Sequence, residues 1–516
     1  MGEYGKIYAS SEGDSMKYFM GIDMGTQGAR VGVFDEEGTQ VADATKGWET
    51  NYPKPGWAEQ DPNVWWNAVK VALADASQQM SADIKANIAT VSVDATASTF
   101  FPVDKNINAL SDALMWMDMR ATEEAAELNA TGHAVLDHCG GEASPEWFVP
   151  KLMWIKRHEP ELYKKTYKFM DQLDWINYKL GGVLCSCMCT AVCKYHYVED
   201  LGGYCQDFYD AIGLEDWNDK VFERIELIGA DLGNLNAEIC EEFGISKDAK
   251  LIMGGIDAHI GMFGTNAFTE GKLSVNMGTS FCILGNINDS SKKLNSFWGP
   301  YKNAVCDGMG CIEGGQSTAA GLVNWFVRTF NIESLTKQNV YEYLAKTLDD
   351  TDPGAGGLIV MDHFQGNRTP YKDPHSRGII YGLTMQHTWK DIYRAVLESV
   401  TYGTYNIIEK YEEEAFEISE IVACGGGSKN KAWVQMIADI CGKPIVVNEC
   451  EQGCVLGCCV VGAAASVFDG DYEKAGNALV HKADTYLPDM ELHEFYTPLF
   501  EKYKALYEAN KNLGKM

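Results

Sequence analysis

Residues 18–38, YFMGIDMGTQGARVGVFDEEG, set Asp23, Gly25, Thr26 and Arg30 between two short apolar runs. The runs at 18–22 and 29–34 flank a glycine-rich turn, and EEG at 36–38 makes a second turn before TQVADA, which reads as a β-meander with tight hairpins. Residues 273–286, LSVNMGTSFCILGN, repeat the core of the first stretch with Asn276 in the place of Asp23. A hairpin turn carrying Gly-Thr presents N–H groups and a hydroxyl to one point, the arrangement that receives phosphate oxygens. Two such turns facing each other across a cleft would grip a polyphosphate. One acidic copy then suffices: Asp23 serves a Mg²⁺ ion, and Asn276 accepts the phosphate without adding a second negative charge. Glycine is common in turns, so either hairpin taken alone reads more simply as an ordinary structural bend.

Outward from the first hairpin, DPNVWWNAVKVALADAS places Asp61 as an N-cap and Pro62 at the first position of a helix, and ATVSVDATAS reads as a strand ending in small polar residues. Polar residues gathered at strand ends fit an α/β domain with ligands at the edge of its sheet. The same order restarts near residue 272, through KLSVNMGTSFCILGN, the helix STAAGLVNWFVRTF, the strand EIVACGGGS and the helix NKAWVQMIADICG. The chain is internally duplicated. Its 516 residues predict two or three domains at ~150 residues each. The glycine-rich LIMGGIDAHIGMFGTNA suits an interdomain crossing, and the boundary is expected near 262–268, giving domains of 1–264 and 265–516.

Forty-three basic against 73 acidic side chains give a formal net charge of −30, which disfavours binding to nucleic acid or an anionic membrane. A phosphorylated ligand must therefore be held locally, by N–H groups, a helix N-terminus or a cation. No signal peptide is read at the start, so the 16 cysteines are expected to be reduced thiols in a cytoplasmic protein. The longest apolar run, CVLGCCVVGAAASVF, is shorter than the ~20 residues that span a bilayer and reads as a buried small-residue helix. CSCMCTAVC (Cys185, Cys187, Cys189, Cys193) lacks the spacing and histidine partners of a closed zinc site, and buried thiols are the better reading. There is no G-x-x-x-x-G-K-[ST], and no G-x-G-x-x-G opening a helix after a strand, so a nucleotide would be bound by some other fold.

GIIYGLTMQHTWKDIYRAVLE, residues 378–398, resembles the C-terminal signature of the FGGY carbohydrate kinases in Gly378, Ile380, Gly382, Leu383, Asp391, Ile392, Ala395 and Glu398. The similarity runs in order over nearly the full chain. It implies an α/β fold of two domains, actin-like and ribonuclease-H-like (the sugar kinase–Hsp70–actin architecture), with a duplicated core and an interdomain cleft where ATP and sugar meet. By that resemblance the nucleotide is bound by Thr26, Gln27 and Arg30 of the first turn, and by Gly278 and Thr279 of the second. Gly425, Gly426 and Asn430 form the adenosine loop, with Asn324 beside it. Asp257 in GGIDAH becomes the catalytic base and, with Asp23, a Mg²⁺ ligand. The chemistry requires such a group, because a sugar hydroxyl is a poor nucleophile until a carboxylate takes its proton. Read without the resemblance, Asp257 is a helix cap or turn residue.

On the sugar side, MWMDMRA resembles the family's W-x-D-x-R segment and brings in Arg120, while VDATAS, CTAVCKYHY, GGIDAHIG and CIEGGQS together resemble the ribulokinase-like branch. A ketopentose would then touch Ala97, Lys194, Asp257 and Glu313. Each has a structural alternative: Lys194 could snorkel to solvent, Glu313 could cap a helix near Ser317, and Arg120 could pair with Glu123 or Glu124. Trp116, Trp147 and Trp154 read as core. The resemblance therefore implies an ATP-dependent sugar kinase acting on ribulose, with xylulose, erythritol or a pentitol as rival substrates. A rival of another class is an actin-like nucleotide-binding sensor. A homodimer is suggested by resemblance only.

Overall fold

The computed structural model describes residues 15–513. β1 (Tyr18–Gly25) and β2 (Gly28–Asp35) pair antiparallel up to Gly25 opposite Gly28, which leaves Thr26–Gln27 as a two-residue turn. β3 (Gln40–Gly47) extends the meander, and α1 (Pro62–Gln79) begins where the Asp61 carboxylate accepts the Asn63 N–H. β4 (Ile88–Ala95) lies parallel to β1 and sets Asp94 opposite Asp23. With β5 (Asp231–Asn234) and β6 (Lys250–Ile252) the first sheet has six strands in the order β5-β6-β4-β1-β2-β3. Two helices that carry site residues, α2 (Met188–Lys194) and α3 (Asp257–Gly264), belong to the same half.

The second sheet repeats the plan. β7 (Lys272–Met277) and β8 (Phe281–Ile287) form an antiparallel hairpin closed by Gly278, Thr279 and Ser280. β9 (Trp298–Lys302) and β10 (Gly310–Gln316) continue it on one side. On the other, β11 (Glu420–Cys424) runs parallel to β7, followed by β12 (Ile445–Asn448) and β13 (Lys482–Tyr486). The seven strands are ordered β9-β10-β8-β7-β11-β12-β13. In both sheets a hairpin's first strand pairs in parallel with a later strand, so the repeat read in the sequence is a repeat of topology. α4 (Ala320–Thr329), α5 (Trp389–Glu414) and α6 (Lys431–Cys441) pack on this second sheet.

The two sheets lie on either side of the expected cut at 264/265, but the cut does not describe the packing completely. α7 (Gly453–Ser466), the apolar helix CVLGCCVVGAAAS with its preceding glycine, crosses back and buries Val455, Leu456, Val460 and Val461 in the core of the first sheet. Burying each such side chain contributes ~1.5–3 kcal/mol, which holds α7 against the first sheet. Its companion at the crossing is α3, and the helices touch backbone to backbone. A Cβ on Gly457 would stand 2.1 Å from the Ile260 carbonyl oxygen, and one on Gly264 would stand 1.8 Å from that of Gly453. Only glycine permits this approach, which accounts for the glycine-rich composition read as a crossing.

The signature stretch 378–398 serves the scaffold. Thr388 and Asp391 form a reciprocal capping box at the start of α5, and buried Glu398 accepts the Gly354 N–H at 2.9 Å and the Tyr496 hydroxyl at 2.9 Å. Among the described residues no helix is long and apolar enough to cross a membrane. All sixteen cysteines are free, as expected.

Candidate active site

Three carboxylates from separate segments converge where β1, β4 and α3 meet. The Asp23 Oδ2 accepts from Arg30 Nη1 at 2.6 Å, a pairing the hairpin register creates by setting the two residues opposite each other. That register also explains why Arg30, read as a nucleotide contact, is engaged with the acid read as a metal ligand. Asp94 is fully buried. It accepts from Cys458 Sγ at 3.2 Å through one oxygen, while its Oδ1 has no hydrogen-bond partner among the described residues. Burial, then the neighbouring Asp23 and Asp257, push its pKa well above the usual carboxylate range. Asp257 opens α3, with its Oδ1 accepting the Ala258 N–H at 2.7 Å. Burial first and Asp23 second raise its pKa to about 6, so it is ionised at neutral pH yet basic enough to take a proton.

Asp257 lines a cavity of about 210 Å³ that draws on both halves of the chain. Thr26 and Ala97 stand on the side of the first sheet, and Asn276, Ser280 and Glu313 on the side of the second. Lys194, at the end of α2, reaches across to Glu313 with Nζ 3.2 Å from Oε2 and lies over the Trp147 ring at 5.1 Å. Burial works against charge on both, but their proximity outweighs it, holding the lysine pKa above and the glutamate pKa below their ordinary values. Neither structural alternative is observed: Lys194 does not run to solvent, and Glu313 sits within β10 and caps no helix. Arg368 closes the rim by pairing with Glu146 at 3.2 Å.

Two expectations need correction. Trp147 and Trp154 are buried in the core as expected, but Trp147 also lines the cavity, as does the half-buried Trp116, whose indole donates to the Thr26 hydroxyl at 3.0 Å. Arg120 is not among the lining residues. Its guanidinium is locked by Asp118 (2.8 Å from Nε and from Nη2) and Glu59 (2.7 Å), and it stacks on Trp57 at 3.7 Å. The partners are not Glu123 or Glu124, because the W-x-D-x-R spacing turns the arginine back onto its own aspartate.

A second, larger cavity of about 660 Å³ lies beside the β7–β8 turn. Gly278, Thr279, Asn324, Gly426 and Asn430 all line it, and Tyr341, Tyr393 and Trp433 supply aromatic walls. Gly425 is adjacent, in a left-handed conformation (φ 86°) where a Cβ would meet the Asn276 Oδ1 at 2.7 Å. The Asn430 Oδ1 caps α6 through the Trp433 N–H, and the Asn324 Oδ1 accepts from the Tyr341 hydroxyl at 2.8 Å. The volume, the apolar walls and the glycine loop fit a nucleoside. The crowded acids, with an unpartnered Asp94 oxygen and Arg30 as their paired cation, fit a hard divalent cation in front of them. Gln27 stands exposed in the first turn and lines neither cavity.

Sequence reasoning missed Asp94, His259 and Arg368. Asp94 had a legible signal, the one charged residue in its strand, whereas Arg368 lies in an irregular segment without one. The four thiols of 185–193 are buried as expected, but the absence of histidine partners was incorrect: His259 lies with Cys189 and Cys193, the three ligand atoms all within 4.8 Å.

The comparisons agree with this geometry. The model of the FGGY family of carbohydrate kinases matches in two parts, the N-terminal domain over residues 18–264 and the C-terminal domain over 273–466. An FGGY carbohydrate kinase domain-containing protein from Xenopus laevis is 31% identical, the match covering 97% of this chain and 98% of the relative. A ribulokinase from Geobacillus thermodenitrificans is 29% identical over 95% of this chain and 94% of its own length. The xylulose kinase of Rhodospirillum rubrum superimposes with a TM-score of 0.87 at 21% identity, over 97% of this chain and 100% of that structure, which shows the shared fold.

Proposed function

The chain belongs to the FGGY family of carbohydrate kinases, and from that premise we propose that it phosphorylates the terminal hydroxyl of a ketopentose, ribulose first among the candidates, at the expense of ATP. The observation that carries the reading is Asp257, a carboxylate with its pKa raised to about 6, in the wall of a sugar-sized cavity opposite the Lys194–Glu313 pair. Asp257 takes the proton of the attacking hydroxyl as its oxygen bonds to the γ-phosphorus and the bond to the β-phosphate oxygen breaks, leaving a sugar phosphate and ADP. Lys194 donates to hydroxyl or carbonyl oxygens and Glu313 accepts from hydroxyls, so a sugar lacking a matched group leaves buried polar atoms unpaired and is rejected. Thr26 and the Gly278–Thr279 turn face the phosphate path, and the larger cavity takes the nucleoside. Asp23 and Asp257 would hold a Mg²⁺ ion, which when bound neutralises phosphate charge. Closure of the two halves about the α3–α7 crossing excludes water, which would otherwise accept the phosphoryl group.

A coupled assay of ADP release over D- and L-ribulose, D- and L-xylulose, ribitol, erythritol and glycerol tests this. Release above the sugar-free rate is expected with a ribulose enantiomer and is lost on chelating divalent cations. Release with xylulose or a polyol alone overturns the ribulose assignment, and release with none of them overturns the kinase reading for these substrates.

A further inference from the structure

His259 is buried to 2% exposure, lines the sugar-side cavity and has no part in the proton transfer assigned to Asp257. Its Nε2 lies 3.6 Å from the Cys193 Sγ, while its Nδ1 has no hydrogen-bond partner among the described residues. A buried polar nitrogen without a partner opposes folding, and such a group beside a ligand cavity is explained when the ligand supplies what is missing. The two ring nitrogens point to different sides, so with Nε2 turned toward α2, Nδ1 is turned away from that helix.

The Cys193 thiol beside Nε2 bears on which nitrogen carries the proton. The Cys193 Sγ–His259 Nε2 contact can run either way, S–H to nitrogen or N–H to sulfur. Burial pushes the Cys193 thiol pKa up and keeps it protonated. A bare imidazole nitrogen is a better acceptor than a thiol sulfur, so the Cys193 S–H has its natural partner in Nε2. With that hydrogen donated to Nε2, a neutral ring carries its N–H at Nδ1. We propose that His259 binds the sugar, donating its Nδ1–H to a substrate oxygen, and that Cys193 is the positioning residue that fixes the tautomer. This rests on the sugar-kinase reading above and adds a donor to the one that Lys194 provides. It also gives CTAVCK, where Cys189, Cys193 and Lys194 sit on one short helix, a role beyond packing.

The same three groups have the composition of a soft-metal site. Against that stands the free Nδ1, because a metal-bound imidazole is held by a hydrogen bond from its other nitrogen. Three donors without a fourth also fall short of a closed site.

Trp116, Trp147 and Trp298 line the cavity, so sugar binding is measurable by tryptophan fluorescence without turnover. The probe is the best sugar of the substrate panel. His259→Gln, which has no N–H at the Nδ1 position, is expected to raise Kd and KM for the sugar on the order of 3–10-fold, the worth of one neutral hydrogen bond, with KM for ATP unchanged. His259→Asn, whose amide N–H falls near Nδ1, recovers most of the loss. Cys193→Ala weakens sugar binding in the same direction, Cys193→Ser restores it, and His259→Gln/Cys193→Ala is no worse than His259→Gln alone. Unchanged sugar Kd in His259→Gln, or independent multiplying effects of the two sites, overturns the inference. So does one tightly bound metal ion per purified chain that Cys193→Ala releases. Sugar binding without ADP release refutes the kinase reading and leaves this test intact, whereas no sugar binding by the wild type refutes both.

Discussion

Asp257→Asn separates chemistry from stability in one substitution. Asparagine keeps an Oδ1 to accept the Ala258 N–H, a 2.7 Å contact, so the start of α3 is preserved. It removes the base, and turnover is expected to fall by ~10²–10⁴ with ATP binding nearly unchanged. It also removes a charge from beside Asp23. The pKa of Asp257 rises from the ordinary 3.8 to about 6 on folding, mainly through burial and then through Asp23. A group whose folded value lies above its unfolded one supports folding fully below 3.8, and that support is lost as pH rises through about 6. At ~1.4 kcal/mol per pH unit, the ionised carboxyl costs up to ~3 kcal/mol at pH 8, an upper bound because the cavity admits solvent. Asp257→Asn should therefore raise the urea midpoint at pH 8 and leave it nearly unchanged near pH 4, while wild-type kcat/KM for the sugar climbs with pH and levels off above about 6. Wild-type turnover in the variant, or a stability difference independent of pH, would refute the reasoning.

Two further substitutions probe the buried ion pairs. Arg120→Ala strips its ion-pair partner from Asp118, which is fully buried, and should cost ~3–5 kcal/mol in urea unfolding, with its main effect on stability and not on sugar affinity. A raised sugar KM at unchanged stability would return Arg120 to the substrate site. Lys194→Met leaves Glu313 largely buried and unpaired, so it should destabilise more than Lys194→Met/Glu313→Gln does, although both weaken sugar binding. Strictly additive losses in a double-mutant cycle would show that the pair is not coupled.

The hairpin turns, the Asp61–Pro62 helix start and the apolar α7 were legible in the sequence because each is dictated by neighbours along the chain: glycine for tight turns, a capping oxygen, an unbroken apolar run. The duplication was legible for the same reason, since a repeated turn repeats its local chemistry. What the chain order could not determine is which side chains meet. Asp94 comes to Asp23 through the register of two parallel strands, α7 joins the first sheet from the far end of the chain, and His259 finds Cys193 only when α2 and α3 pack together. Arg120 shows the converse, a residue in a familiar local pattern that packing turns away from the cavity. Local conformation is a matter of short-range sterics and hydrogen bonds that sequence states directly. Convergence at a site depends on strand register and helix burial, and these are decided only when the whole core closes.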